Sequence, residues 1–373
     1  MKIAILGIRG IPSCYSGFEV CAEELASRLA ERGHDLRVYC RSRYFSLESK
    51  TYKGIRLIVI PTINNKYLDT FIHTLLGTLH VLFTDTEVIQ YFGVGNSIFT
   101  FLPRIFGKKT FINVDGLDWT RKKWPYPAKL YLKICAFLAT CLPNHFITDS
   151  REIADYYARI FDKKPHYIAY GIPVYSPAPS LNREDTLSKF SLEQDKYILF
   201  VGRLVPENNI EDLISAYNQI DTDLKLVIVG DSRYQSGYVQ YLKNNGNPNI
   251  VFTGFLGGDE YLEICSRAYI FVETTEASGT HPALLDAMGL GNCVLVNGIP
   301  TNLEVIKDSG LSYDGARKDA DLKEKLEWLL DNPELLKEYK IKAVEHVKRH
   351  YSWDRVTERY EKLWLQALSG RAK

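Results

Sequence analysis

Short apolar strands alternate with amphipathic helices along most of this 373-residue chain, and this alternation constrains the fold more than any other feature. In the first half the predicted strands are Lys2–Leu6, Leu36–Cys40, Arg56–Ile60, Glu87–Tyr91, Thr110–Val114, His145–Thr148 and His166–Ala169. The clearest helix runs from Phe18 to Glu31 and is followed by Gly33. Strands that are separated by helices favour a parallel sheet covered on both faces.

The pattern breaks once and then restarts. Residues 174–194 are rich in proline and then in charge, so we predict a linker there. The predicted strands that follow are Tyr197–Val201, Lys225–Val229, Asn249–Phe252, Tyr269–Val272 and Cys293–Val296. A chain of this length is also too long for one ordinary core. We therefore predict an α/β protein with two doubly wound, Rossmann-like domains that face a cleft, 1–173 and 195–351, and a C-terminal helix within 352–373.

Composition and charge exclude several classes of protein. Hydrophobic residues make up 46% and charged residues 24% of the chain, which is typical of a soluble globular protein. The net charge of +1 gives no general attraction to nucleic acid, so no nucleic-acid partner is expected. The chain enters a strand at Lys2 without an apolar leader, and its longest apolar run, Phe71 to Phe83, is too short to span a bilayer. We expect a cytoplasmic protein.

The turn after Tyr197–Val201 carries the first candidate ligand-binding group. Arg203 and Asn208 follow this strand, at the end where open α/β sheets bind ligands. A guanidinium group suits a phosphate there because it can donate to two oxygens at once. The alternative is an ordinary turn with a solvated arginine.

The stretch 278–291 follows Tyr269–Val272 and carries the second candidate group. Gly279 and Thr280 fall where a helix begins, so backbone N–H groups there can hold phosphate oxygens. Asp286 lies two helical turns further on, where it could accept hydrogen bonds from two hydroxyls of a ribose. The alternative is a capped helix with a solvated aspartate.

A glycine-rich loop follows the first strand, from Gly7 to Glu19. Its spacing is not that of a dinucleotide fingerprint, but Gly10 and Gly17 would let a ligand approach the backbone closely. We assign Phe18 and Glu19 to the same loop. A plain glycine turn is the alternative.

A basic and aromatic patch is formed by Arg121, Lys122, Lys123 and Trp124. Cations beside an aromatic side chain suit a membrane surface or a lipid diphosphate, and a solvated run of charge is the alternative. No metal site is predicted, since the seven cysteines lack zinc spacing and the pair Asp221 and Asp223 precedes a strand instead of following one. No bound cofactor is predicted either.

Taken together, Val201-Gly-Arg-Leu-Val-Pro-Glu-Asn-Asn and 278–291 resemble the nucleotide-sugar half of glycosyltransferase family 4, the retaining GT-B enzymes. Leu6-Gly-Ile-Arg-Gly-Ile-Pro and Val114-Asp-Gly-Leu-Asp-Trp-Thr-Arg look like the branch that contains bacterial rhamnosyltransferases. Tyr351-Ser-Trp-Asp resembles the start of the closing helix, which crosses back onto the first domain. The resemblance covers nearly the whole chain and implies a GT-B fold.

This resemblance assigns roles to residues of both domains. It implies that Arg203 binds the donor pyrophosphate and that Asp286 binds the ribose. The residues that it places against the diphosphate and the sugar are Gly279, Thr280, His281, Pro282 and Ala283. Asn208 stands where the family has a lysine, and Ser278 where it has the first glutamate of a Glu-x7-Glu pair.

Asp115 is the candidate catalytic residue of the first domain. The resemblance places it where many relatives have a histidine near the reacting centre. A carboxylate there could bond the transferred sugar or the incoming hydroxyl. The alternative is an Asx turn before Gly116.

The predicted function is transfer of a hexose from a nucleotide diphosphate donor to an acceptor hydroxyl, and the donor that the resemblance favours is dTDP-rhamnose. We expect the reaction to need no metal ion and to retain the configuration of the transferred sugar. We expect a lipid-linked saccharide acceptor, a role in cell-surface polysaccharide synthesis and peripheral contact with the inner face of the cell membrane. Two alternatives share the two-domain architecture. A nucleotide-sugar epimerase would need acid and base carboxylates that the sequence does not place. A non-catalytic sugar-binding protein is opposed by the missing leader and by the Arg203 turn.

Overall fold

A computed structural model of the chain describes residues 1–13, 17–46, 50–65, 68–114, 116–120, 124–173, 185–232, 236–276 and 280–370. The chain divides into two compact units, the first formed by Met1–Gly171 with Trp353–Lys373 and the second by Ile172–Ser352. Several predicted residues lie outside the described residues: Asp115, Arg121, Lys122, Lys123, Ser278, Gly279 and 174–184 of the linker.

The strands and helices follow one another in a regular order. The strands are β1 (Lys2–Leu6), β2 (Asp35–Arg41), β3 (Thr51–Tyr52), β4 (Ile55–Ile60), β5 (Val88–Phe92), β6 (Lys109–Asn113), β7 (His145–Thr148), β8 (His166–Tyr167), β9 (Tyr197–Val201), β10 (Lys225–Val229), β11 (Ile250–Gly254), β12 (Ile270–Glu273), β13 (Cys293–Asn297) and β14 (Leu311–Tyr313). The helices are α1 (Gly17–Glu31), α2 (Asp69–Leu82), α3 (Phe101–Ile105), α4 (Tyr126–Ala139), α5 (Arg151–Phe161), α6 (Asp185–Lys189), α7 (Ile210–Tyr217), α8 (Ser236–Asn244), α9 (Gly258–Ser266), α10 (Pro282–Gly289), α11 (Pro300–Ile306), α12 (Asp319–Asp331), α13 (Pro333–His350) and α14 (Trp353–Leu368).

The first unit is built on an eight-stranded sheet in the order β3-β4-β2-β1-β5-β6-β7-β8. Its neighbouring strands are parallel, except that β3 pairs with β4 in antiparallel register. Every residue of β5 is buried, because helices cover both faces of the sheet. β1 lies between β2 and β5, so the connections reverse direction at the carboxyl end of β1.

The second unit is built on a six-stranded parallel sheet in the order β11-β10-β9-β12-β13-β14. Its core includes the apolar face of α7, where Ile210, Leu213, Ile214 and Tyr217 recur at helical spacing. Burial of such side chains contributes about 1.5–3 kcal/mol each. The order of strands reverses between β9 and β12, which makes this the second point where a crevice can open.

The C-terminal helix α14 belongs to the first unit. Its apolar face carries the buried residues Tyr360 and Trp364, and the Trp364 ring lies 6.1 Å from that of Phe111 on β6. On its other side, Glu361 accepts hydrogen bonds at 2.7 Å from Arg32 and at 2.7 Å from His34. Burial alone would raise the pKa of Glu361, but the bonds from His34 and Arg32 outweigh it and lower the pKa. Packing and ion pairs together hold this helix against α1 and the sheet.

The predicted strands are present, each within two residues of its predicted ends. Among the elements that the sequence patterns do not predict are the short strands β3 and β14 and the helix α13. Within the predicted linker, Asp185–Lys189 forms α6, which packs against α9. Leu187 and Leu192 are buried in this segment, so it is part of the second unit.

Candidate functional site

Two groups of predicted binding residues follow neighbouring strands of the second unit, β9 and β12. These two strands are parallel neighbours, with Ile198 opposite Ile270. The loop after β9 contains Arg203, and the loop after β12 leads to Thr280. Both loops leave the same edge of the sheet at its reversal point, which is where open α/β sheets bind ligands.

Hydrogen bonds through Asn208 join these two loops. The Asn208 Nδ2 donates to the carbonyl of Arg203 at 2.7 Å, and its Oδ1 accepts from the Thr275 hydroxyl at 3.1 Å. The Thr274 hydroxyl donates to the Asn208 carbonyl, and the Glu276 N–H donates to the Glu207 carbonyl at 3.2 Å. The amide of Asn208 therefore fixes the turn that carries Arg203, while the Arg203 side chain itself is exposed.

The amino end of α10 offers backbone donors to an anion. His281 occupies the N-cap in an extended conformation, and Pro282 follows as the first helical residue. The N–H of Leu284 bonds to the His281 carbonyl, so Ala283 and the residues before it precede the first bond of the helix. Thr280 to Ala283 are half-exposed, which leaves this helix end accessible. Such an end attracts phosphate oxygens through its donors and its dipole.

Asp286 lies on the same helix, and a residue of the neighbouring helix α9 donates a hydrogen bond to its carboxylate. The hydroxyl of Tyr261, on α9, donates to Oδ2 of Asp286 at 3.0 Å. Both side chains are half-exposed. The sequence does not predict this contact, because Tyr261 lies on a different helix and no sequence pattern links it to Asp286.

Glu273 is a buried acid that sequence reasoning also missed. It ends β12 with only 4% of its surface exposed, and its Oε1 accepts a hydrogen bond from the Thr275 N–H at 3.2 Å. Burial raises the pKa of Glu273, although His281 and the Thr275 N–H act in the opposite direction. An acidic residue at the end of an otherwise apolar strand is the sequence signal that could have identified it.

In the first unit, the glycine-rich loop packs tightly at the end of β1. Gly10 has a φ of +139°, and a Cβ atom there would lie 2.5 Å from the ring of Phe45. Gly17 begins α1, and the Phe18 ring packs on Phe92 at 5.8 Å. Glu19 is buried, with its carboxylate 4.0 Å from the Arg9 guanidinium. Gly10 therefore follows β1 at the reversal point of the first sheet.

The chain leading to Asp115 is held by a polar network. Gln90 donates to Asn113 at 2.9 Å, and Asn113 donates to the Tyr360 hydroxyl of α14 at 2.9 Å. The Val114 N–H donates to the Ile147 carbonyl at 2.8 Å. These bonds fix the backbone up to the residue before Asp115.

Helix α4 follows the predicted basic patch, of which Trp124 is described and half-buried. One face of α4 is apolar and exposed, with side chains three or four residues apart: Tyr126, Leu130, Ile134 and Phe137. Exposed apolar side chains that form a continuous stripe mark an interaction surface more often than single ones do.

Two absences hold for the part of the chain that the structure describes. Within it, no three side chains of His, Cys, Asp or Glu come together as a ligand set for a metal ion. No helix there combines the length and the apolar character that crossing a bilayer requires.

Two protein families match successive parts of the chain. Residues 182–346 match the family described as glycosyl transferases group 1. Residues 1–173 match a domain of unknown function, DUF1972. The chain is 23% identical to an uncharacterized glycosyltransferase of Methanocaldococcus jannaschii over 382 aligned residues, which cover 95% of each protein.

Solved structures resemble the whole chain. Sucrose-phosphate synthase from Thermosynechococcus elongatus superposes with a TM-score of 0.83 at 18% identity, over 99% of both chains. HepE of Anabaena in complex with UDP-glucose gives a TM-score of 0.78 at 14% identity, over 99% of this chain and 100% of that one. The predicted GT-B fold is thereby confirmed.

The buried acid generates the first prediction. Because the pKa of Glu273 is raised in the folded protein, its contribution to stability is full at low pH and is lost as the pH rises through the folded pKa. We expect Glu273→Gln to unfold at a higher urea concentration than the wild type at pH 8, because the amide does not ionise. Near pH 4 the variant and the wild type should unfold at the same urea concentration.

Glu276→Gln, three residues further on and exposed, is the matched control and should change stability little at either pH. A wild type more stable than Glu273→Gln at pH 8 would contradict the assignment of a neutral buried acid.

Proposed function

We propose that this chain, a glycosyltransferase of the GT-B fold whose residues 182–346 match the glycosyl transferases group 1 family, transfers a hexose from a nucleotide diphosphate to an acceptor hydroxyl. The observation that carries the proposal is the junction at β9 and β12. Asn208 there joins the Arg203 turn to the loop that leads into the amino end of α10. A guanidinium and a helix end at one edge of a sheet form a site suited to a diphosphate.

In this proposal the leaving diphosphate is stabilised by positive charge and by dipoles. Arg203 donates to the phosphate oxygens, and N–H groups near Thr280 add backbone donors, whereas Pro282 has none. These groups are present before the reaction, so they need little reorganisation as charge develops on the leaving group. We propose that they suffice without a metal ion. With retention of configuration, the leaving phosphate itself would take the acceptor proton.

The donor that we propose is dTDP-rhamnose, and the support for it is the resemblance to the rhamnosyltransferase branch. Asp286 would accept a hydroxyl of the donor's pentose. The structural relative HepE was solved in complex with UDP-glucose, which is a nucleotide sugar of the same chemical class.

Transfer and the competing reactions differ in their products. Incubation with dTDP-rhamnose and a lipid-linked saccharide should release dTDP only when the acceptor is present. An epimerase would instead convert the nucleotide sugar without acceptor, and a binding protein would leave it unchanged. Product analysis by mass spectrometry separates these outcomes.

The second prediction concerns the diphosphate. We expect Arg203→Ala to weaken the binding of dTDP by about 1.5–3 kcal/mol, because a charge-assisted hydrogen bond is lost. Titration calorimetry measures this change. Carried out with the wild type in the presence of a chelator, it also tests whether dTDP binding needs a metal ion. Arg317→Ala, which removes an exposed arginine of the same unit, is the control and should bind normally. If a folded Arg203→Ala protein bound dTDP with unchanged affinity, the assignment of Arg203 to the diphosphate would be contradicted.

The third prediction concerns Asp115, for which we propose a role in moving the acceptor proton. Asp115→Asn keeps the size of the side chain but removes its charge, so turnover should fall by roughly 100-fold or more. Donor affinity should barely change, since the proposed nucleotide contacts come from the second unit. Steady-state kinetics with Asp118→Asn as control measures both quantities. Near-normal turnover would assign Asp115 to an Asx turn, which asparagine forms equally well.

We also propose that the acceptor is carried by lipid and that the protein works at the cytoplasmic face of a membrane. The support is the exposed apolar face of α4, where Tyr126 is 79% and Phe137 is 54% exposed. Lys129 and Lys133 lie on the same helix, directly after the basic patch 121–124. A helix with apolar side chains flanked by cations suits the interface of an anionic bilayer.

The fourth prediction tests that contact. Leu130 and Ile134 are exposed, so replacing both with glutamine should leave folding intact. Their loss should reduce binding to vesicles containing phosphatidylglycerol by about tenfold or more, because each inserted side chain contributes on the order of 1 kcal/mol. Ile341→Gln, an exposed isoleucine of the second unit, is the control. Equal sedimentation of the double variant and the wild type with vesicles would contradict the proposed surface.

A further inference from the structure

The outer side of helix α2 is apolar. Its exposed residues are Leu76, Leu79 and His80, and Phe83, directly after the helix, is 92% exposed. The helix has no lysine or arginine, and its one acidic residue, Asp69, is buried. Surface helices ordinarily turn charged and polar side chains to water, whereas helices that are apolar on all sides are ordinarily covered. The outer side of α2 therefore has the composition of a contact surface.

Helix α3 continues this apolar surface. It packs against α2, and at its end Ile105 is 70% and Phe106 is 65% exposed. The amino group of Lys108 donates to the carbonyl of Thr84 at 2.7 Å, so the segment after α3 is bonded to the segment after α2. Phe83 and Phe106 therefore lie at the same end of the two helices.

Helix α4 adjoins the other two. The ring of Phe71, on α2, lies 6.5 Å from the ring of Tyr131, on α4. The guanidinium of Arg104, on α3, donates at 2.9 Å to the carbonyl of Cys141, just after α4. Side chains of α2 and α4 also belong to the same hydrophobic core. The exposed residues of α2, α3 and α4, with Phe83 and Phe106, thus form one surface, the three-helix surface.

The charged side chains of the three-helix surface have one sign. Arg104 and Lys133 are exposed, and Lys129 is half-exposed. The structure describes every residue of these three helices, and the one acid among them is the buried Asp69. An apolar surface that carries cations and no exposed acid is complementary to a layer of apolar chains behind anionic headgroups.

Two acids lie beside this surface, between α2 and β5, and both have partners of their own. Asp85 forms ion pairs with Lys2 and Arg37. Glu87 accepts a hydrogen bond from the backbone N–H of Lys2 at 2.8 Å. These acids therefore do not pair with the cations of the three-helix surface.

A second copy of the chain fits this surface less well than a bilayer does. A twofold contact between copies brings the same patch of each together. Arg104, Lys129 and Lys133 would then face a patch with the same cations and no exposed acid. The headgroups of an anionic bilayer supply the negative charge that a second copy lacks.

We propose that the whole three-helix surface lies in the interface of an anionic bilayer, with Phe83 and Phe106 as its membrane anchors. The inference rests on the proposed function, because it extends the contact proposed for α4 to two further helices. Both phenylalanines are among the most exposed apolar side chains of the first unit, so their removal from water contributes strongly to binding. The cations of the surface hold the headgroups around them.

Sedimentation of the full-length protein with vesicles of phosphatidylcholine and phosphatidylglycerol tests the anchors. We expect the double variant Phe83→Gln/Phe106→Gln to bind these vesicles about tenfold or more weakly than the wild type, because two large apolar side chains no longer enter the bilayer. Both residues are exposed, so the variant should unfold at the wild-type urea concentration. Phe255→Gln, which replaces an exposed phenylalanine of the second unit, is the matched control and should bind like the wild type.

The outcomes separate this inference from the contact proposed for α4. If the variant Phe83→Gln/Phe106→Gln binds vesicles like the wild type while Leu130→Gln/Ile134→Gln does not, the anchors are wrong and the α4 contact stands. A wild type that does not bind the vesicles contradicts both.

Two further measurements test the partner and the fold. A wild type that is dimeric in analytical ultracentrifugation, and a Phe83→Gln/Phe106→Gln variant that is monomeric with unchanged vesicle binding, would assign the surface to a second copy and overturn the inference. Sugar transfer to a water-soluble acceptor needs no bilayer, so the double variant should keep wild-type turnover. Loss of that turnover would show that Phe83 and Phe106 serve the fold or the site and not the membrane.

Discussion

Parallel strands bring their carboxyl ends to one edge of a sheet, and the candidate site of the second unit depends on this constraint. Asn208 and Thr275 are 67 residues apart in sequence, but they follow neighbouring strands and are joined by a hydrogen bond of 3.1 Å. The same asparagine bonds the carbonyl of Arg203. One amide therefore connects the turn that offers a guanidinium to the loop that leads to a helix end. Neither loop alone would supply both the guanidinium and the helix end of the proposed site.

Two carboxyl groups of this unit differ in environment, and the difference sets their chemistry. Glu273 is buried at the end of β12, where loss of solvent raises its pKa and favours the neutral acid. Asp286 is half-exposed on α10 and accepts a hydrogen bond from the Tyr261 hydroxyl. A neutral Glu273 would not repel a diphosphate in the proposed site. The two acids therefore differ in how far they are shielded from solvent.

Much of the fold could be predicted from the sequence, because continuous apolar runs identify buried parallel strands. The helix α13 escapes such reasoning, since it is strongly charged and only Leu336, Ala343 and Val347 are buried. Burial of Glu273 could not be predicted, because it depends on the strands that cover it. For Asn208 the sequence predicts a donor contact, but the structure gives its amide two partners within the loops. Contacts between distant segments are invisible to periodicity.

The balance of charge in the proposed donor site follows from two replacements considered together. Asn208 stands where the resembled family has a lysine, which removes one positive charge. Ser278 stands where that family has a glutamate, which removes one negative charge. In formal charge the two replacements cancel. Fewer charges also mean a smaller desolvation cost when a ligand covers the site. We infer that the net charge of the proposed donor site is unchanged. Asn208, at the position of the family's lysine, instead orders the two loops.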